Sequence, residues 1–292
     1  MNKLKIGFTD TFDGTADFFT EVLSQKYEVI RDDVNPNFLI FGDENFGTRN
    51  LGYDMNKVTK IFYTGENRRP WNYQCHFAIT FDHLDTDRLY RMPLYVLNMW
   101  YLEKRLGMTP VFEQYRMPFD LDRKTEFCGF VNSNPNCVER NTFFHNLSQY
   151  KRVDSGGPLF NNIGYVLPRD DMGIKHKLDF FSTKKFSIAY ENGSYPGYAT
   201  EKMLEAYVGG TVPIYWGSPT IDIDFNPRCF LNRHDYVSDE EFIKKIKEVD
   251  ETPSKYLEYY LEPLFTDNQP NKYMNMEKLV DWFDLNVYPS QD

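Results

Sequence analysis

The densest chemistry in this chain lies between Phe186 and Pro219. A loop of turn formers, Glu191 to Ala199 with Asn192, Gly193, Ser194, Pro196 and Gly197, runs into Thr200-Glu201-Lys202. Such residues permit tight and unusual backbone turns, each for its own reason. Thr200 suits a helix N-cap. Backbone N–H groups at a helix start attract anions, phosphate above all. Lys202 adds a full positive charge in the first turn. The helix dipole alone disfavours a cation there, and a bound anion would reverse the sign. Taken by itself, the stretch is equally an ordinary strand–helix–strand unit with an exposed lysine.

Two further residues carry chemistry. Glu66 sits in Tyr63-Thr64-Gly65-Glu66-Asn67, just past an apolar run, with Arg68 and Arg69 following. A nearby guanidinium favours an ionised carboxylate. The bland reading is a surface glutamate in a turn. Arg140 lies in the segment Asn132 to Asn141. Guanidinium forks match phosphate oxygens, although a solvated helix arginine is the ordinary alternative.

The elements that must hold these groups are legible around them. Phe186–Tyr190 has strand length and composition. Met203, Leu204, Tyr207 and Val208 form the apolar stripe of the helix after Thr200, which Gly209-Gly210 ends. Val212–Trp216 reads as a second buried strand. The order strand, loop, helix, strand is the unit of a parallel sheet, which binds ligands at the carboxyl ends of its strands. Upstream, strands are expected at 5–8, 27–30, 38–41, 61–63 and 77–81, and helices at 16–25 and 94–106. A polar stretch at 107–124 looks like a linker. Beyond it come a strand at 127–131, helices at 139–150 and 170–182, a short strand at 229–231, and helices near 240–249, 255–261 and 277–285. Residue 153 is read as the start of a loop.

The chain has 292 residues, of which 41% are hydrophobic and 26% charged, enough for a large core and two α/β domains. The 21 Tyr and 25 Phe mostly fill that core. A net charge of −10 argues against nucleic acid or anionic membrane as a global partner. No apolar run reaches the roughly 20 residues of a membrane span, and Met1 to Ile6 enters a strand-like segment with no signal peptide apparent. Cys75, Cys128, Cys137 and Cys229 lack metal or redox spacing and read as free thiols. The five histidines show no ligand spacing. Asp85-x-Asp87, Asp120-x-Asp122 and Asp222-x-Asp224 spell DxD, which 43 acidic residues produce by chance. Asp154-Ser155-Gly156-Gly157-Pro158 imitates a serine-protease nucleophile segment without the supporting context. No metal site is expected.

The stretch Glu191-Asn192, Gly197-Tyr198, Thr200-Glu201-Lys202 and Pro213-Ile214-Tyr215-Trp216-Gly217 closely resembles the hallmark of glycosyltransferase family 10, the α1,3-fucosyltransferases. Tyr63 to Asn67 and Phe81 to Tyr95 extend the resemblance. It implies the GT-B fold: α/β, two Rossmann-like domains facing across a cleft. Residues 1–115 would form the acceptor-side domain. Residues 116–292 would form the nucleotide-sugar domain with trailing helices, whose return toward the first domain stays open. The resemblance further implies an inverting transfer of L-fucose from GDP-β-L-fucose to an N-acetylglucosamine-containing glycan such as N-acetyllactosamine. No cofactor or obligatory metal is implied. Glu66 would be the general base. Arg140, Asn192, Tyr198, Glu201 and Lys202 would bind the donor, with Arg140 and Lys202 on the diphosphate. The expected setting is the bacterial cytoplasm, with peripheral attachment to the inner membrane left open. Another sugar-nucleotide donor and a non-catalytic glycan-binding module are the competing readings.

Overall fold

The computed structural model describes residues 1–12, 14–107, 121–169 and 174–291. They fall into two compact units. One is Met1–Tyr101 with the segment from Lys272 onward, the other Leu102–Asn271. The linker expected at 107–124, its boundary at 115/116, Asp120 and the start of the 170–182 helix lie wholly or partly outside the described residues.

The first unit is built on a parallel sheet in the order β2-β1-β3-β4-β5-β6. Its strands are β1 (Asn2–Thr9), β2 (Tyr27–Arg31), β3 (Phe38–Phe41), β4 (Thr59–Tyr63), β5 (Phe77–Thr80) and β6 (Leu89–Arg91). Every residue of β3 and β4 is buried. Central parallel strands are covered on both faces, so they read as continuous apolar runs. Helix α1 (Thr15–Leu23) buries Phe18, Phe19, Val22 and Leu23, and α2 is Leu94–Leu106.

The second unit holds a parallel sheet in the order β11-β10-β9-β7-β8. Its strands are β7 (Glu126–Phe130), β8 (Val153–Ser155), β9 (Lys184–Tyr190), β10 (Val212–Trp216) and β11 (Leu231–Asn232). Its helices are α3 (Val138–Ser148), α4 (Ile174–Ser182), α5 (Glu201–Val208), α6 (Asp239–Glu251) and α7 (Pro253–Tyr260). Phe130, Phe143, Phe186, Ile188, Ile214, Phe242 and Ile246 belong to one buried cluster. The reading of residue 153 as a loop start is corrected: Val153 opens β8, three residues too short to show a period. Ser155 ends that strand wholly buried, its hydroxyl donating to the Leu159 carbonyl at 2.6 Å, so it cannot serve as an exposed nucleophile.

The segment from Lys272 onward lies with the first unit, the return that the sequence leaves open. Helix α8 (Met276–Trp282) and the wide turn Phe283–Val287 pack in the first unit, not the second. Phe283 meets Tyr27 at 6.0 Å and Phe38 at 5.7 Å between ring centres. Asp284 accepts from the Tyr27 hydroxyl at 2.5 Å and the Lys26 ammonium at 2.6 Å. Trp282 Nε1 donates to the Asp87 carbonyl at 3.1 Å. Phe283 is 1% exposed and Leu285 is 75% exposed. Phe283→Ala should therefore cost about 3–5 kcal/mol in urea unfolding through lost burial and a cavity, whereas Leu285→Ala should stay within about 0.5 kcal/mol. Equal tolerance at both positions would contradict this packing.

Candidate functional site

The hallmark stretch forms one hydrogen-bonded assembly at the carboxyl ends of β9 and β10. The two strands pair in register up to Trp216 opposite Tyr190. Past that point the Glu191 N–H still donates to the Trp216 carbonyl at 2.8 Å. The loop that follows turns at Gly197, whose φ of +82° lies where residues with a Cβ are strained. The Gly197 N–H bonds Ser218 Oγ at 2.9 Å and Thr220 Oγ1 at 3.1 Å, and the Ser218 N–H bonds Tyr215 Oη at 2.9 Å. These bonds tie the loop to the turn after β10.

Thr200 occupies the N-cap of α5, as the sequence suggests, but its hydroxyl makes no capping bond to the helix. It donates to Glu191 Oε2 at 2.6 Å, while the Thr200 N–H donates to Glu191 Oε1 at 2.8 Å. The expected conflict between Lys202 and the helix dipole is answered within the protein. The Lys202 ammonium lies 3.1 Å from Glu201 Oε1, 3.4 Å from Glu191 Oε2 and 3.1 Å from Thr200 Oγ1. One helical turn deeper, Lys177 of α4 pairs with buried Glu205 at 2.5 Å. Burial pushes the Glu191 carboxyl up, with Lys202 and the Thr200 donors opposing. Burial also opposes ionisation of Glu201, but Lys202 and then Lys177 outweigh it and hold that carboxyl down at about 2. Two neighbouring carboxyls are thus driven in opposite directions.

Arg140 lies in the first turn of α3, with no solvent exposure. The solvated-arginine reading is therefore set aside. Its Nη2 donates to the Asn134 carbonyl at 2.6 Å and its Nη1 to Asn192 Oδ1 at 2.7 Å. Nη1 also lies 3.5 Å from the carbonyls of Tyr190 and Glu191. Its Nε is buried without a hydrogen-bond partner. Burial weakens its hold on the proton. Asn192 thus spans the loop and α3. Tyr198 is fully buried, Glu201 and Lys202 keep 24% and 14% of their side-chain surface, and Asn192 is half-buried. All five donor candidates come together in the second unit, although Arg140 and Tyr198 are enclosed beneath the surface.

Glu66 belongs to the first unit, on the loop at the carboxyl end of β4. Its N–H donates to Thr64 Oγ1 at 3.0 Å, and the Thr64 hydroxyl donates to buried Asp43 at 2.9 Å. Arg68 and Arg69, which follow Glu66 in the chain, also find carboxylates elsewhere. Arg68 pairs with Glu44 at 3.1 Å, and Arg69 with Asp82 at 3.0 Å. Their carboxylates come from distant points in the chain, which adjacency could not show. Sequence reasoning also missed Glu191 as a site residue, and Lys177 and Glu205 altogether. A glutamate directly after the apolar run Phe186–Tyr190 was the available signal for Glu191. Among the described residues, no three His, Cys, Asp or Glu side chains gather to hold a metal. No helix there is long and apolar enough to cross a membrane.

Comparison with known proteins follows this division. Residues 5–98 match the α-(1,3)-fucosyltransferase FucT N-terminal domain, and residues 121–262 the C-terminal domain of glycosyltransferase family 10 (fucosyltransferase). The chain is 34% identical to the α-(1,3)-fucosyltransferase FucT of Helicobacter pylori over 90% of its own length, and it spans 60% of that relative's length. A solved α1,3-fucosyltransferase superposes with a TM-score of 0.81 at 29% identity, covering 98% of this chain and 90% of that one. A structure of an α1,3-fucosyltransferase with GDP-fucose matches with a TM-score of 0.75 at 28% identity, covering 98% and 90%. The two parallel sheets with their helices form a GT-B-like glycosyltransferase fold, and the chain belongs to glycosyltransferase family 10, the fucosyltransferases.

Proposed function

We propose that this protein is an inverting α1,3-fucosyltransferase that moves L-fucose from GDP-β-L-fucose to a hydroxyl of an N-acetylglucosamine-containing glycan such as N-acetyllactosamine. The observation that carries this reading is the pair of cations meeting at Glu191. Arg140 at the start of α3 reaches its carbonyl, and Lys202 at the start of α5 faces its carboxylate. Both helices follow strands that are adjacent in the sheet. Two helix starts and two cations converging at strand carboxyl ends suit a diphosphate. The solved relative with GDP-fucose supports guanosine diphosphate as its carrier.

The leaving group gains negative charge as its bond to the fucose anomeric carbon breaks. Lys202 answers that charge with the hydrogen-bond donors of an ammonium, and Arg140 adds its field from beneath Asn192. Positive groups already oriented toward developing charge stabilise the transition state more than the ground state. Glu201, which keeps part of its surface, meets ribose or fucose hydroxyls, and Tyr198 supports that contact from beneath the surface. The acceptor hydroxyl is a poor nucleophile until it loses its proton, and Glu66 accepts that proton as the oxygen attacks. Attack opposite the diphosphate converts β-linked fucose into α-linked fucose.

Protein cations and helix starts here do the work that a divalent ion does in other transferases. Turnover of GDP-fucose with N-acetyllactosamine should therefore persist in excess EDTA with no added metal. Complete loss, restored by manganese, would contradict this charge assignment. Glu66→Gln keeps the shape and removes the basicity. Its kcat should fall by about 10²- to 10⁴-fold, the usual worth of a general base. Donor affinity should barely change, because the lost interaction belongs to the transition state. Near-normal kcat, or loss of GDP-fucose binding instead, would place the base elsewhere.

A further inference from the structure

We infer that Glu191 is a positioning residue: it holds Lys202 where the diphosphate departs, without itself touching the ligand. The inference rests on the donor reading above. Glu191 has no solvent exposure. Its two carboxylate oxygens are occupied by Thr200, through the N–H at 2.8 Å and the hydroxyl at 2.6 Å, and Oε2 also faces the Lys202 ammonium at 3.4 Å. Its main chain is equally engaged. The N–H donates to the Trp216 carbonyl at 2.8 Å, and the carbonyl takes the Cys137 thiol at 3.4 Å and Arg140 Nη1 at 3.5 Å.

Room for this side chain depends on Gly217. A Cβ there would stand 2.4 Å from Glu191 Cγ and 2.7 Å from Tyr215 Oη. The glycine on one strand end therefore permits the carboxylate on the next. A lysine left to itself has a flexible four-carbon stem and a strongly hydrated head. Here two carboxylates bracket the head. Glu201 neighbours Lys202 on the same helical turn and keeps 24% of its side-chain surface. Glu191 issues from the end of β9 and is fixed by bonds on every polar atom. A buried carboxylate is tolerated only when so partnered. An incoming diphosphate then meets a cation already in place, and the cost of ordering that side chain is met by the fold.

The test is a double-mutant cycle on Glu191→Gln and Lys202→Met, read as kcat/KM for GDP-fucose and Kd for GDP. Glu191→Gln keeps the volume and turns an amide toward the ammonium. It should lower kcat/KM by about 10-fold or more, as expected when a buried charge pair loses one member. Lys202→Met alone should weaken donor use by at least as much. In the Lys202→Met background, Glu191→Gln should change kcat/KM and Kd by less than about 2-fold, since coupled residues fail to add. Equal losses in both backgrounds would overturn the inference, and so would a Glu191→Gln enzyme with wild-type kinetics beside an impaired Lys202→Met. If Lys202→Met leaves the donor kinetics unchanged, the donor reading falls and this inference with it. Should Glu191→Gln fail to fold, Gly217→Ala displaces the carboxylate without deleting it, and the same pattern is required of it.

Discussion

A carboxylate removed from water at the end of a strand is the constraint on which the second unit's site depends. An isolated buried carboxylate is costly. Glu191 is tolerable because Thr200 gives it two hydrogen bonds and Lys202 a counter-charge. The same contacts determine where α5 begins and where its first-turn lysine points. Through its main chain, Glu191 also meets the start of α3 and the end of β10. Strand, loop and two helices thus meet at one residue, and Gly217 leaves the space its side chain occupies.

Charge balance follows from that arrangement. Arg140, Lys177 and Lys202 stand among Glu191, Glu201 and Glu205, in a chain whose net charge is −10. The cations are therefore local and internally matched rather than part of a basic surface. In such an environment fixed charges act at a lower effective dielectric than in water. Arg140 is an extreme case: its guanidinium is fully enclosed, its Nη atoms bond only neutral oxygens, and its Nε lacks a partner. Its counter-charges, Glu191 and Glu201, act through space rather than by a direct ion pair.

The sequence reported this unit's frame well, because its signals are local. Residues 212–216 form the second strand of the motif as read, and α5 starts after Thr200. The apolar runs of buried parallel strands and the Gly-rich break before α5 need no distant information. What could not be read depends on partners far along the chain. Strands β6 and β8 have three residues each, too few for periodicity. Arg140 bonds Asn192, and Arg68 and Arg69 pair with Glu44 and Asp82. The turn after α8 packs through Phe283 on Tyr27 and Phe38, more than 200 residues upstream. Thr200 illustrates the limit: its position as N-cap was legible, but the carboxylate that claims its hydroxyl was not.

The central claim is that the loops and helix starts at 132–141 and 191–204 hold the sugar nucleotide. Hydrogen–deuterium exchange with and without GDP-fucose tests it most directly, because amides at a ligand contact open less often when the ligand is bound. The account requires slower exchange in both segments with GDP-fucose and none with UDP-galactose. Protection confined to other segments, or equal protection by either sugar nucleotide, would contradict it.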